Sequence, residues 1–262
     1  MGSSMERSDR EPGYDPIALA AATEKVVVRG NLRKYVQLGR KLRFYGGSIS
    51  ATEVGCNLRC KFCFSDKPVW KPGKTGRFYS PQQVFDGLNR AARKHGTKII
   101  SASASEGTIG KDHLLELLTL VDQSNYTYVL ETNGMILGAD REYVRELKHF
   151  KNLHVRVSIK GCNQEEFHRL TGARRSAYDL PFEALRFLIA EGVSCNACLS
   201  VSFSNAQTIR MAKEKLFEIR PGLLRSLEIE RITLFPKVRE RLIEHRIIEE
   251  GSSHLRRASS VD

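Results

Sequence analysis

From residue 47 to residue 235 the chain repeats one pattern. A short run of alternating apolar and small polar residues is followed by a longer stretch with apolar residues three or four positions apart. The first spacing is that of a strand with one polar face, the second that of an amphipathic helix. Six strands follow: "GSISATE" (47–53), "KIISASAS" (98–105), "YTYVLET" (126–132), "HVRVSIK" (154–160), "VSCNACLSVSF" (193–203) and "SLEIERITLF" (226–235). Five helices fit between them. The one after "YSPQQ" places Val84, Phe85, Leu88, Ala91 and Ala92 on one face, with Ser80 as N-cap, Pro81 in the first turn and Gln83 closing a capping box. The next is Leu-rich from Leu114 to Val121, and the later ones are "DREYVRELKHF", "YDLPFEALRFLIAEG" and "NAQTIRMAKEKLFEI".

Repeated strand–helix pairs predict parallel strands joined by right-handed crossovers, in an open doubly wound sheet or a partial barrel. The strands decide between them. In "HVRVSIK", Val155, Val157 and Ile159 alternate with Arg156, Ser158 and Lys160, and two other strands place Ser or Thr at every second position. A sheet covered by helices on both faces would be apolar on both, whereas a curved sheet lining a wet cavity alternates. The expected fold is therefore α/β, a partial (β/α)6 TIM-like barrel of parallel strands with a polar lumen. It would span residues 25–236, preceded by a flexible N-terminal extension (1–24) outside the core and followed by a C-terminal helix and flexible tail (237–262).

Composition agrees with a globular protein: 41% hydrophobic and 27% charged residues. No apolar run approaches the roughly 20 residues of a membrane helix, and the N-terminus lacks a secretory pattern, so no membrane association and a cytoplasmic location are expected. The net charge of +12 is unevenly placed. Residues 25–78 hold 13 Lys or Arg against Glu53 and Asp66, a net +11. Such a segment suits an acidic electron-donor protein, a nucleic acid or an anionic substrate, or is a solvated face.

Three of the six cysteines, Cys56, Cys60 and Cys63, fall within "GCNLRCKFCF". In a reducing compartment, thiols bunched in a loop after a strand suit a soft metal or an iron–sulfur cluster better than disulfides. A structural zinc site would take four protein ligands, and no further Cys or His lies close by in sequence.

The spacing of three residues, then two, between these cysteines, with Phe62 before the last, resembles the signature of radical SAM enzymes. The resemblance covers residues 45–235. It implies that Cys56, Cys60 and Cys63 hold a 4Fe-4S cluster whose open iron is chelated by S-adenosyl-L-methionine (SAM). It further implies reductive cleavage of SAM to a 5'-deoxyadenosyl radical, on a partial or full (β/α) barrel, for hydrogen abstraction from a substrate. A zinc site or a non-catalytic electron-carrier cluster is the alternative.

Further elements bear on SAM. Where the family has Gly-Gly-Glu-Pro after the second strand, whose backbone and acid hold the methionyl amino group of SAM, this chain reads Ala104, Ser105, Glu106 and Gly107, keeping only the acid, which implies that Glu106 pairs with that ammonium group. "LETNG" resembles the third-strand element of glycyl-radical-enzyme activating proteins, which implies SAM contacts for Glu131, Thr132 and Asn133. "VSIKG" resembles their fourth-strand element, which implies that Lys160 pairs with the SAM carboxylate, with Ser158 standing where that branch has an acid. An acidic electron donor such as a flavodoxin or ferredoxin is implied, with a polypeptide or small-molecule substrate; the basic segment leaves a nucleic acid, and so an RNA-modifying enzyme, as the alternative. Cys198 falls on the polar strand face and Cys195 on the apolar one, Cys162 opens the loop after the fourth strand, and His168 and Arg169 lie on a helix beyond it.

Overall fold

The computed structural model describes residues 11–250, so the flexibility expected of the first ten and last twelve residues falls outside the described residues. Helix α1 (Pro16–Val27) starts at Asp15, whose carboxylate accepts from the N–H groups of Ile17 and Ala18. It buries Ala20, Thr23 and Val27, so this part of the extension is helical and packed, not outside the fold as its composition suggested. Strands β1 (Val28–Arg29) and β2 (Leu32–Leu42) form a hairpin through Gly30, and β2 runs antiparallel to β3 (Ser48–Glu53). The cysteine loop and the short α2 (Lys67–Trp70) follow, and β4 (Arg77–Tyr79) returns to pair with β2.

From there the chain alternates: α3 (Pro81–His95), β5 (Ile99–Ser103), α4 (Lys111–Asp122), β6 (Thr127–Thr132), α5 (Met135–Ala139), α6 (Arg141–Leu147), β7 (Leu153–Lys160), α7 (Gln164–Thr171), α8 (Leu180–Ala190), β8 (Cys195–Ser200), α9 (Ala206–Ile219), α10 (Gly222–Arg225), β9 (Glu228–Glu230) and α11 (Pro236–Glu244). The sheet order is β1-β2-β3-β5-β6-β7-β8-β9, and the six strands from β3 to β9 in that order are parallel. Helix α3 carries the expected capping box at Ser80 and Gln83.

The two faces of the parallel sheet divide as the alternation predicts. Ile49, Ala51, Ile100, Ala102, Leu130, Val155, Val157, Ile159, Ala197 and Leu199 are buried in the core beneath the helices. The intervening positions line up across the strands: Ser50 with Ser101, Glu131 with Arg156 and Asn196, Ser158 with Cys198 and Glu228, and Lys160 with Ser200 and Glu230. That polar row is the lumen.

Two differences have local causes. Strand β2 has no clean alternation to read, because its pairing with β3 shifts register twice and its cations interrupt the apolar positions. Strand β9 covers only three residues of the expected ten, because Ile232 N–H turns to Ser202 Oγ at 2.7 Å instead of continuing the ladder.

Candidate active site

The C-terminal ends of parallel strands leave backbone and side chains free for chemistry. Here β3 runs into Gly55, whose φ of +96° and tight approach to Thr23 and Val27 of α1 exclude a side chain. Cys56, Cys60 and Cys63 follow as free thiols, Cys60 buried and the others half-buried. The loop is braced from several sides. The Tyr14 hydroxyl accepts from Arg59 N–H at 2.7 Å and donates to Thr171 O at 3.2 Å. Lys61 N–H donates to Leu170 O at 2.9 Å, and Arg241 of α11 donates to Lys61 O at 2.9 Å and to Cys63 O. Phe62 packs beside Phe203, their ring centroids 6.3 Å apart.

Burial pushes all three thiols above their ordinary range, Cys60 up to about 12 with Lys160 opposing the shift. For Cys56 the neighbouring Glu106 and the other two cysteines add to the effect. Among the described residues no three His, Cys, Asp or Glu side chains converge as ligands of one metal ion. Three thiols in one loop, with no fourth, fit a cluster in which each ligates a different iron.

Glu106 does not face an open cavity. It is 1% exposed and its carboxylate accepts four hydrogen bonds. Oε1 accepts from Thr108 Oγ1 and Thr132 Oγ1, both at 2.6 Å, and from Thr108 N–H at 3.2 Å; Oε2 accepts from Asn133 N–H at 2.8 Å. The acid thus ties the end of β5 to the end of β6. Ala104 keeps the left-handed backbone of a glycine position, with φ of +75°, and Ser105 Oγ donates to Glu53 O at 2.8 Å. Fully buried Arg33, on β2, donates to the carbonyls of Glu106 (2.6 Å), Gly107 (3.2 Å) and Ile109, and lies 3.6 Å from Glu53. This clamp shapes the loop where the family's glycines and proline are missing.

Asn133 sits against the cysteine loop, donating to Asn57 Oδ1 at 2.7 Å with its Nδ2 3.8 Å from Cys56 Sγ. Glu131 points elsewhere and accepts from the Tyr45 hydroxyl at 2.8 Å. Lys160 donates to Ser158 Oγ at 2.5 Å and lies 3.7 Å from Glu230. Burial alone would lower its pKa, but Glu230 and the nearby Cys60 and Cys198 outweigh it and raise it, so the ammonium stays charged. Lys160 in turn holds Glu230 below the ordinary carboxylate range. Deeper in the lumen, Arg156 pairs with Glu228 at 2.7 Å and donates to Cys198 Sγ at 2.8 Å. Burial, followed by Glu230, pushes Cys198 up to about 12 despite that guanidinium. Cys162 and Cys195 are buried in the apolar core, and His168 Nδ1 donates to Ala173 O at 2.7 Å.

Sequence reading brought Cys56, Cys60, Cys63, Glu106, Thr132, Asn133 and Lys160 to one end of the barrel, where the structure places them. It missed Arg33, Asn57, Glu228, Glu230 and Arg241. Glu228 and Glu230 were legible as alternate positions of a strand already drawn; Arg33 and Arg241 carry no sequence signal. The basic segment also divides. Arg33 and Lys34 are buried, Lys67, Lys71 and Lys74 are exposed beyond the cysteine loop, and Arg40, Lys41 and Arg43 are exposed at the opposite end of β3.

The family model described as "Radical SAM superfamily" matches residues 52–212. Among solved structures, the chain is similar to Streptococcus suis SuiB bound to precursor peptide SuiA, at 17% identity and a TM-score of 0.52 over 69% of this chain and 36% of that one. It is likewise similar to native anSMEcpe with bound AdoMet, at 18% identity and a TM-score of 0.52 over 70% of this chain and 50% of that one. The chain therefore matches half or less of the length of these structures, and the likeness is one of fold. No curated protein sequence matches it. With the matched region running from the end of β3 through α9, and so through the cysteine loop and the strand ends around it, the chain belongs to the radical SAM superfamily.

Proposed function

We propose that the chain is a radical SAM enzyme in which Cys56, Cys60 and Cys63 hold a 4Fe-4S cluster. The observation that carries the reading is the single loop at the end of β3 that holds three free thiols, Cys56, Cys60 and Cys63. When bound, the cluster and SAM supply an electron and a cleavable sulfonium, giving a 5'-deoxyadenosyl radical for hydrogen abstraction. The residues of the chain bind and orient. Lys160, kept cationic and steadied by Ser158, is the partner for the SAM carboxylate. Ala104 and Ser105 would offer backbone at the end of β5 and Thr132 and Asn133 the adjoining wall, while Glu131, turned to Tyr45, would meet SAM only from the lumen side. Glu106 acts by fixing Thr132 and Asn133.

The substrate we propose is a polypeptide, in an activating-enzyme-like reaction. The SuiB–SuiA complex and the polar lumen between Glu131, Arg156 and Glu228 support it. Electrons would come from an acidic flavodoxin or ferredoxin docking on Lys67, Lys71, Lys74 and the exposed Phe64, in the cytoplasm where thiols stay reduced. An RNA substrate is the second reading, favoured by the +11 segment, though burial of Arg33 and Lys34 and the split of the rest weaken it. RNA binding that falls steeply with salt would support it.

The test is anaerobic reconstitution followed by iron and sulfide analysis and a search for 5'-deoxyadenosine after adding reductant and SAM. About four irons per chain and 5'-deoxyadenosine, both lost in Cys60→Ala, are expected. Iron uptake unaffected by Cys60→Ala, or no SAM cleavage by the loaded protein, would overturn the reading.

A further inference from the structure

Asn57, immediately after Cys56, is fully buried, yet its side-chain nitrogen Nδ2 has no hydrogen-bond partner in the protein. Its orientation follows from a chain of donors. Met135 N–H donates to Asn133 Oδ1 at 3.1 Å, which makes Asn133 Nδ2 the donor to Asn57 Oδ1 at 2.7 Å. Asn57 Oδ1 is therefore the acceptor and Nδ2 the free end. Met135 N–H holds the Asn133 side chain, and Glu106 Oε2 and Thr132 Oγ1 hold the backbone around it by accepting from Asn133 N–H at 2.8 Å and Gly134 N–H at 3.0 Å.

A buried amide with two unpaired N–H groups is uncommon, because it forfeits its hydration without replacement. Asn57 directly follows Cys56, one of the three loop thiols. Cys56 Sγ already receives Leu58 N–H at 3.4 Å and lies 3.8 Å from Asn133 Nδ2, so N–H groups gather around a sulfur here. Hydrogen bonds to cluster sulfurs favour the reduced, more negative state and raise the reduction potential.

We infer that Asn57 donates through Nδ2 to a sulfur of the cluster held by Cys56, Cys60 and Cys63, and so sets the cluster's reduction potential. The inference rests on the cluster reading above. In it Asn133 and Glu106 are positioning residues, which hold the Asn57 amide in the orientation that presents its nitrogen. Arrival of the cluster turns an unpaired donor into a paired one.

The experiment is a redox titration of the reconstituted cluster, followed by electron paramagnetic resonance in the absence of SAM, for wild type, Asn57→Asp and Asn57→Ala. Asn57→Asp keeps the volume and the bond from Asn133 but replaces the donor by an anion. Midpoint potentials shifted to more negative values in both variants, at unchanged iron content, are expected. Equal midpoints in all three, or a shift seen only when SAM is present, would overturn the inference while leaving the cluster in place. A wild type that takes up no iron would overturn the cluster reading and this inference with it. If the variants do not load, pulsed resonance of the wild-type cluster with 15N-labelled asparagine decides: couplings to two side-chain nitrogens are expected, that of Asn57 beside that of Asn133 near Cys56 Sγ, and one or none would refute the assignment.

Discussion

Replacing Glu106 by Gln removes a single charge and leaves the side chain's shape intact. A glutamine has one acceptor oxygen. Placed at the Oε1 position, it keeps Thr108 Oγ1, Thr108 N–H and Thr132 Oγ1, but turns its NH2 toward Asn133 N–H, which now sits 2.8 Å from a donor. The lost charge-assisted bond costs about 1.5–3 kcal/mol, and the three retained bonds weaken toward neutral strength. Against this, repulsion of buried Glu53, whose carboxyl is pushed up by burial and in part by Glu106, is relieved. A net loss of about 3 kcal/mol follows, or roughly 6–12 °C in Tm for a chain of this size. Urea unfolding of the cluster-free protein at pH 7, wild type beside Glu106→Gln, measures it. The stability readout separates two roles. A glutamate standing free to meet an ammonium group would lose affinity on this change but little stability. A loss below about 1 kcal/mol would therefore refute the bridging role drawn from the four hydrogen bonds.

Other perturbations test separate parts of the structure. Ala104→Gly should stabilise the protein by about 0.5–1 kcal/mol, because relief of the left-handed backbone exceeds the added unfolded-state entropy; a lower Tm would contradict the φ of +75°. His113, buried between Tyr35 and the Asn31 carbonyl, has its pKa lowered to about 4, chiefly by burial. Its unfolded value is near 6.5, so the unfolded chain binds more protons between the two. Stability is therefore full above pH 6.5 and falls by about 3 kcal/mol as pH drops toward 4. Urea midpoints across that range should flatten in His113→Gln, and an unchanged slope would count against it. Arg241→Ala should free the carbonyls of Lys61 and Cys63, seen as faster amide exchange over residues 61–66 and faster iron release from the reconstituted protein; wild-type rates would deny α11 its hold on the loop.

Alternation of apolar and polar positions was enough to place the six parallel strands and to say which face of each is polar, because side-chain direction in a strand has a period of two whatever the surroundings. Hence alternation alone puts Arg156, Ser158 and Lys160 on the lumen face, and in the fold they lie there beside Asn196, Cys198 and Ser200. The cysteine spacing was equally local, since three ligands carried on one short loop need no distant partner to be recognised. β2 was beyond this reach: its antiparallel pairing depends on register shifts against β3 that only the folded sheet defines.

Which partner each of those side chains takes was settled by the tertiary structure. In sequence Glu106 is an acid at the end of a strand; folding brings Thr132 and Asn133 within hydrogen-bond reach and turns it into a bridge between β5 and β6. Arg33 and Arg241 stand 73 and 180 residues from the carbonyls they hold, and cations at those positions look solvated until the chain closes around them. Hydrogen bonds act over about 3 Å and burial depends on all neighbours at once, so neither is written in any short window of sequence. The alternating pattern specified a polar barrel with three thiols at its mouth, and the contacts across it decided which polar groups remain free to meet a ligand.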